Sequence, residues 1–201
     1  KKISKGKINN FIYKPSPSLM DCLIKYSKKK IDISNFALNE VWYKKDLNGK
    51  DFKNLHNFFW LFTLDLNSSK KEVQSVISNW IDINGKYNDK IWSTDILSKR
   101  IISWISNSKI TYENSNEEYK VKFNELIKRQ INHLINEINR SKWIDDKMIG
   151  CSAIILAGLA YDDKKNILEY GLNLLKKIIK FSLDKNYFPK SRNIRQLNFF
   201  L

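Results

Sequence analysis

Asn54-Leu55-His56-Asn57-Phe58-Phe59-Trp60-Leu61-Phe62-Thr63-Leu64-Asp65-Leu66 carries one formal charge, on Asp65, in a chain where 28% of residues are charged. At 3.6 residues per turn, Leu55, Phe58, Phe59, Phe62 and Leu66 share one face, and Trp60, Leu61 and Leu64 fill much of the rest. A helix apolar nearly all round is enclosed by other elements. The stretch therefore predicts a central helix, whose polar members Asn54, His56 and Asn57 need partners or a ligand.

Further helical patterns follow it. Ser69 and Glu72 have capping-box spacing ahead of Val73, Val76, Ile77, Trp80 and Ile81, and Gly85 is expected to stop that helix in the left-handed region. The next helix opens near Thr94-Asp95 and turns Ile96, Leu97, Ile101, Trp104 and Ile105 to one side. Glu117 to Ile138 is the longest amphipathic pattern. Asp145-Asp146 precede the most apolar helix, Met148 to Tyr161, and Ile167 to Phe181 is amphipathic again. A turn at Lys185 to Ser191 leads into one more helix. A short apolar stretch at 36–43 fits a strand or a loop pinned by Trp42, and no convincing strand alternation is visible after residue 45. The fold class is all-α. Alternation of buried and half-exposed helices fits helix pairs arranged as a barrel or toroid.

Residues 1–35 form a basic, irregular segment in which Pro15-Ser16-Pro17-Ser18 forces extended or turn geometry. Leu19 to Tyr26 has room for a helical turn or two, and Lys28-Lys29-Lys30 reads as a solvated charge run. Residues 36–201 form the helical domain, which the pattern cuts off inside a helix. Without an initiator Met and ending on Leu197-Asn198-Phe199-Phe200-Leu201, the sequence reads as a fragment of a longer chain.

The formal net charge is +15 in 201 residues. Such a balance favours polyanions: nucleic acid, anionic membrane or acidic polysaccharide. An AT-biased genome, which enriches Lys, Asn and Ile, accounts for part of it equally well. No helix-turn-helix or aromatic-plus-basic surface signature is recognisable, so nucleic acid is not the expected partner. No run reaches the ~18 uncharged apolar residues of a membrane span. Cys22 and Cys151 match no metal spacing; no metal or cofactor is implied.

Several stretches together resemble the N-terminal helical region of the heparinase II/III-like polysaccharide lyases. Asn54-Leu55-His56-Asn57-Phe58-Phe59-Trp60-Leu61 is similar to that family's Asn-Leu-His-Tyr-Phe-Asp-Trp-Leu. Trp80-Ile81, Trp92, Arg100-Ile101-Ile102-Ser103-Trp104, the run Ile154 to Ala160 and Ser191-Arg192 follow in the family's order.

The resemblance implies an incomplete (α/α) toroid of antiparallel helix hairpins, followed by a β-sandwich domain of the same chain. It implies a periplasmic or cell-envelope location and an acidic, uronate-containing polysaccharide such as a glycosaminoglycan as substrate. The reaction would be β-elimination: removal of the C5 proton of a uronic acid, then loss of the 4-linked sugar. That chemistry needs a group to neutralise the carboxylate, and a base and an acid within reach. The family's carboxylate-binding Asn falls here on Asp145-Asp146 and its Tyr-His near Gln196-Leu197, so no catalytic residue is assigned. A non-catalytic module that binds acidic glycan is the alternative.

Candidate substrate-binding residues are His56 and Asn57 at the start of the buried helix, Arg192 and Lys190 in a basic turn, and Tyr187, with Phe188, as an exposed aromatic platform. Asp145 and Asp146 suit a helix N-terminus. His133, and Trp60, Trp80, Trp92 and Trp104, read mainly as core, with at most one tryptophan in a cleft.

Overall fold

The structure, a computed structural model, describes residue 42 and residues 49–64, 69–161, 166–186 and 188–191. The basic segment 1–35, the expected final helix, Tyr187, Arg192 and Gln196-Leu197 lie outside the described residues.

Seven α-helices follow in order among the described residues: α1 (Gly49–His56), α2 (Lys70–Asn84), α3 (Thr94–Ser106), α4 (Ser108–Thr111), α5 (Glu117–Glu137), α6 (Ile144–Ala160) and α7 (Asn166–Ser182). Two 3₁₀ turns, Phe59–Thr63 and Ile138–Arg140, join them. The one extended pairing described is an isolated bridge between Leu183 and Pro189. The domain is all-α.

The stretch 54–66 is not the continuous helix that its composition predicts. α1 ends at His56, Phe58 takes the left-handed conformation at φ 59°, and a 3₁₀ turn carries the chain on. The cause lies in Asn57. Its Oδ1 accepts the Phe59 N–H at 2.8 Å, closing an Asx turn that competes with the helix. A left-handed non-glycine residue costs about 1–3 kcal/mol. That cost is offset by burial: Phe58 is wholly enclosed, edge-on to Trp80 and Trp104 and stacked on Trp42. The break turns two short apolar segments into a plug.

The helix the others surround is α3. Nine of its residues are buried, including Arg100 and three serines. It packs on α5, on α6 and on the 3₁₀ turn at 59–63. Its small buried faces (Ser98, Ser103, Ser106) permit close approach: Ser98 lies beside Gly150 of α6, where Ile138 also leaves no room for a Cβ. α6 has its largest interface with α7. Their approach depends on Gly158, where a Cβ would stand 2.7 Å from the Leu168 backbone nitrogen, and on Gly171, where it would stand 2.8 Å from Ile155 Cγ1.

The caps follow the sequence in part. Ser69 Oγ accepts the Glu72 N–H at 3.4 Å and starts α2. Asn116 Oδ1 accepts the Tyr119 N–H at 2.8 Å and starts α5. Gly85 ends α2 as expected but in the right-handed region, at φ −68°. What requires glycine there is the Ile81 carbonyl oxygen, which occupies the place of a Cβ. One hydrophobic core runs from Trp42 and Phe58 through α2, α3 and α5 to Ile178 of α7.

Candidate functional site

Two clusters combine aromatic rings with cations, and only one of them is open. The closed one gathers the motif residues from 56 to 104. His56 is 2% exposed. Its Nδ1 accepts the indole N–H of Trp80 at 3.0 Å, which places the neutral ring's proton on Nε2. Burial, and then the charge of Arg100, lower its pKa to about 4. Arg100 is fully enclosed, and its guanidinium lies 4.4 Å from the centre of the Trp80 ring. Its Nη1 donates to the carbonyl oxygens of His56, at 3.0 Å, and Ile91, at 3.2 Å. With its amide oxygen facing Arg100, Gln130 accepts from both Nε and Nη2 at 3.2 Å. No carboxylate takes part, and burial pushes the guanidinium down to about 9. Carbonyl dipoles and the Trp80 face do the work of a counter-ion.

Asn57 is also buried. Besides the bond to Phe59, its carbonyl accepts from Ser103 Oγ at 3.4 Å. His56 and Asn57 thus spend their polar groups on the protein and leave almost no surface to a ligand. Trp60, Trp80, Trp92 and Trp104 are buried too. His133 is half-buried and packs its ring against Tyr87 and Trp92, at 5.3 and 5.4 Å.

Cys151, Tyr119 and Tyr161 are withdrawn from solvent. Cys151 is buried and its thiol is pushed up to about 12, so it is no nucleophile at neutral pH. Tyr119 donates to the Thr111 carbonyl at 2.7 Å and Tyr161 to Asn124 Oδ1 at 3.1 Å; burial raises both phenols well above their usual range. Among the described residues no cluster of His, Cys, Asp or Glu is suited to a metal, and no helix is long and apolar enough to cross a membrane.

The open cluster is a groove of about 610 Å³ between the start of α6 and the end of α7, within the usual ~300–1,000 Å³ of small-ligand sites. Ile144, Leu174 and Ile178 supply its apolar lining, and Trp143 and Phe181 its aromatic one. Those two rings are 72% and 77% exposed. Lys142, Lys147, Lys177 and Lys190 contribute four ammonium groups, and among the described residues the lining contains no carboxylate. Lys190 is held by its backbone, whose N–H donates to the Ser182 carbonyl at 2.8 Å beside the 183–189 bridge.

Asp145 and Asp146 open α6 yet do not line the groove. Asp146 Oδ2 accepts from Ser141 Oγ at 3.2 Å. Burial raises its pKa above the usual carboxylate range; the Ser141 bond opposes that and nearby Asp95 adds to it. A second hollow of about 500 Å³, between α2 and the start of α5, is polar and contains Glu118. Its Lys122 is already paired with Asp82 and bonded to Ser78. That hollow lacks the charge excess of the groove.

Of the residues named from sequence, Lys190 therefore lines the groove, Phe188 is exposed on the turn two residues before it, and His56 and Asn57 lie in the interior cluster. Lys142, Trp143, Lys147, Lys177 and Phe181 escaped the sequence reading. A signal for Trp143 was present: it stands outside the apolar register, between Lys142 and the paired aspartates.

Comparison with protein-family models, curated proteins and solved structures finds no match to this chain, so the resemblance to heparinase II/III-like lyases rests on the quoted residues.

Proposed function

We propose that this protein is a helical domain that binds acidic, uronate-containing polysaccharide in the groove between α6 and α7. The observation that carries the reading is the groove's composition: four lysines and two exposed aromatic rings, with no acidic residue among the described residues of the lining. Lysine ammonium groups attract carboxylate or sulfate without imposing one geometry. Flat exposed rings offer the apolar contact that a sugar ring needs.

The wider proposal is that the helices belong to an incomplete (α/α) toroid of antiparallel hairpins in a heparinase II/III-like lyase. One feature favours placing substrate here. The opening of the apolar helix, on which the resemblance places the family's carboxylate-binding Asn, borders this groove through Lys142, Trp143, Ile144 and Lys147, and Ser191, which belongs to the quoted Ser191-Arg192 pair, lines it as well. In β-elimination the lysines would neutralise the uronate carboxylate, so that the C5 proton becomes acidic. Among the described residues the groove offers no neutral histidine, tyrosine or carboxylate as base. Binding is accordingly the part of the reaction this groove can perform by itself.

The test is titration of the protein with polygalacturonate, alginate and heparin at rising salt, combined with a search for the new ultraviolet absorbance of unsaturated uronides. Retention that weakens with salt, without new absorbance, is the result expected of a binding module. Retention with new absorbance makes the protein a lyase. No retention of any uronate polymer at low salt overturns the proposal.

A further inference from the structure

We propose that Trp143 is the residue that makes the groove selective for polymers of sugar rings, by stacking its indole on a pyranose face while the lysines hold the anions. This rests on the binding reading above and adds a specificity-determining residue to it.

Exposure sets Trp143 apart from the other tryptophans. Of the six tryptophans, Trp42, Trp60, Trp80, Trp92 and Trp104 are each at most 7% exposed, whereas Trp143 is 72% exposed. A single exposed ring would need no explanation, but Trp143 shares its groove with Phe181, 77% exposed, and with Ile144, Leu174 and Ile178, and an exposed apolar patch rimmed by polar groups marks an interaction site. Trp143 is also held in place. It occupies the N-cap position of α6, its N–H donates to Ser141 Oγ at 3.3 Å, and its carbonyl accepts the Lys147 N–H at 3.2 Å. Ser141 is fixed in turn by Asp146 at 3.2 Å. The backbone under the indole is thus pre-organised, and little ordering is required when a ligand arrives.

The surroundings define the ligand. Lys142 precedes Trp143 and Lys147 lies one turn after it, so cations bracket the ring along the chain. Phe181, with Lys177 one turn before it, contributes a second exposed ring to the same groove. An aromatic face is electron-rich and suits the C–H face of a pyranose. An anionic chain without rings, such as inorganic polyphosphate, gains only the lysine contacts. The charged groups and the flat contact together match a chain that repeats a ring and an anion, as a uronate polymer does. Single-stranded nucleic acid is the competing occupant, since bases also stack on aromatic side chains.

Trp143 provides its own probe, being the one largely exposed tryptophan. Acrylamide quenching and direct fluorescence titration are run with polygalacturonate, inorganic polyphosphate and an oligothymidylate. The proteins are wild type, Trp143→Ala, Trp143→Phe and the combined Lys142→Gln, Lys147→Gln, Lys177→Gln, Lys190→Gln variant; anisotropy of labelled ligand follows proteins lacking the indole, and circular dichroism verifies their helix content. The expected result is that polygalacturonate shields Trp143 from acrylamide. Trp143→Ala should weaken polygalacturonate roughly ten- to a hundredfold, the range of one lost stacking contact, and polyphosphate less than about twofold on the same scale. Trp143→Phe should recover much of the loss.

Equal weakening of both polymers by Trp143→Ala, with Trp143→Phe no better, would show that the indole only positions lysines and overturns the proposal. Unchanged polygalacturonate affinity in Trp143→Ala, with binding lost in the lysine variant, overturns it while leaving the groove reading intact. Unchanged affinity in the lysine variant overturns the groove reading itself. Oligothymidylate binding more tightly than polygalacturonate through Trp143 assigns the platform to bases and rejects the sugar.

Discussion

The cluster around Trp80 and the groove around Trp143 use the same ingredients, aromatic rings beside cations, to opposite ends. In the first, Phe58, Trp80 and Trp104 meet edge-to-face within 5.1–5.6 Å, and Arg100 spends its donors on two carbonyls and Gln130. In the second, Trp143 and Phe181 face solvent and four lysines line a groove in which the described residues include no carboxylate. The cation types differ for a physical reason. A planar guanidinium stacks on a ring while bonding in its own plane, so it tolerates burial. An ammonium group is strongly hydrated and stays at the surface. A cation–aromatic cluster is structural where the protein supplies every acceptor, and a candidate site where the described lining holds no carboxylate to pair with the cations.

The contrast is broken most forcefully at Trp80. Trp80→Ala removes the partner of His56, Arg100, Phe58 and Trp104 together, and should cost about 3–5 kcal/mol, measured by urea unfolding. Arg100→Met keeps apolar volume but orphans the His56 and Ile91 carbonyls; a loss of about 2–4 kcal/mol is expected, and an unchanged midpoint would refute the role given to the guanidinium. Gly158→Ala sharpens the picture at the α6–α7 contact. Alanine gains about 1 kcal/mol of helix propensity, but its Cβ meets the Leu168 backbone. Overpacking of about 1–3 kcal/mol wins, so the midpoint should fall.

A pH series isolates His56. Its folded pKa of about 4 lies below the ordinary 6.5 because burial and Arg100 disfavour the charged ring. Between those values the unfolded chain takes up a proton that the folded protein refuses. The stabilisation is thus fully present above pH 6.5 and is lost as the pH falls toward 4. His56→Gln, which keeps an acceptor for Trp80, should lack this component; subtracting its curve from the wild type removes the carboxylates common to both. The smallest effect belongs to the groove: Trp143→Ala should leave stability within about 0.5 kcal/mol. A large loss there would mean that the open cluster is also structural.

Much of the fold was legible because its signals are local. The period of apolar residues placed α2, α3, α5, α6 and α7, and Ser69 capped α2 as its spacing implied. The stretch 54–66 misled because composition reports burial rather than conformation. All its large rings but Phe59 are buried, yet Asn57 and Phe58 break the helix. α3 looked merely amphipathic because its serines and Arg100 count as polar. The burial of Arg100 depends on acceptors at positions 56, 91 and 130, outside its own helix.

For the candidate site the division is similar. Lys190 could be named from its basic turn, whereas Lys142, Trp143, Lys147, Lys177 and Phe181 become neighbours only when α6 packs on α7. The sequence by itself determined the helical class, the charge excess and which segments carry apolar faces, since these follow from residue type and spacing. Tertiary structure decided which cation is sealed, which rings are left in water, and that burial of Phe58 against Trp80 and Trp104 holds the break that Asn57 makes locally. Those outcomes depend on partners dozens of residues away, and no local pattern records them.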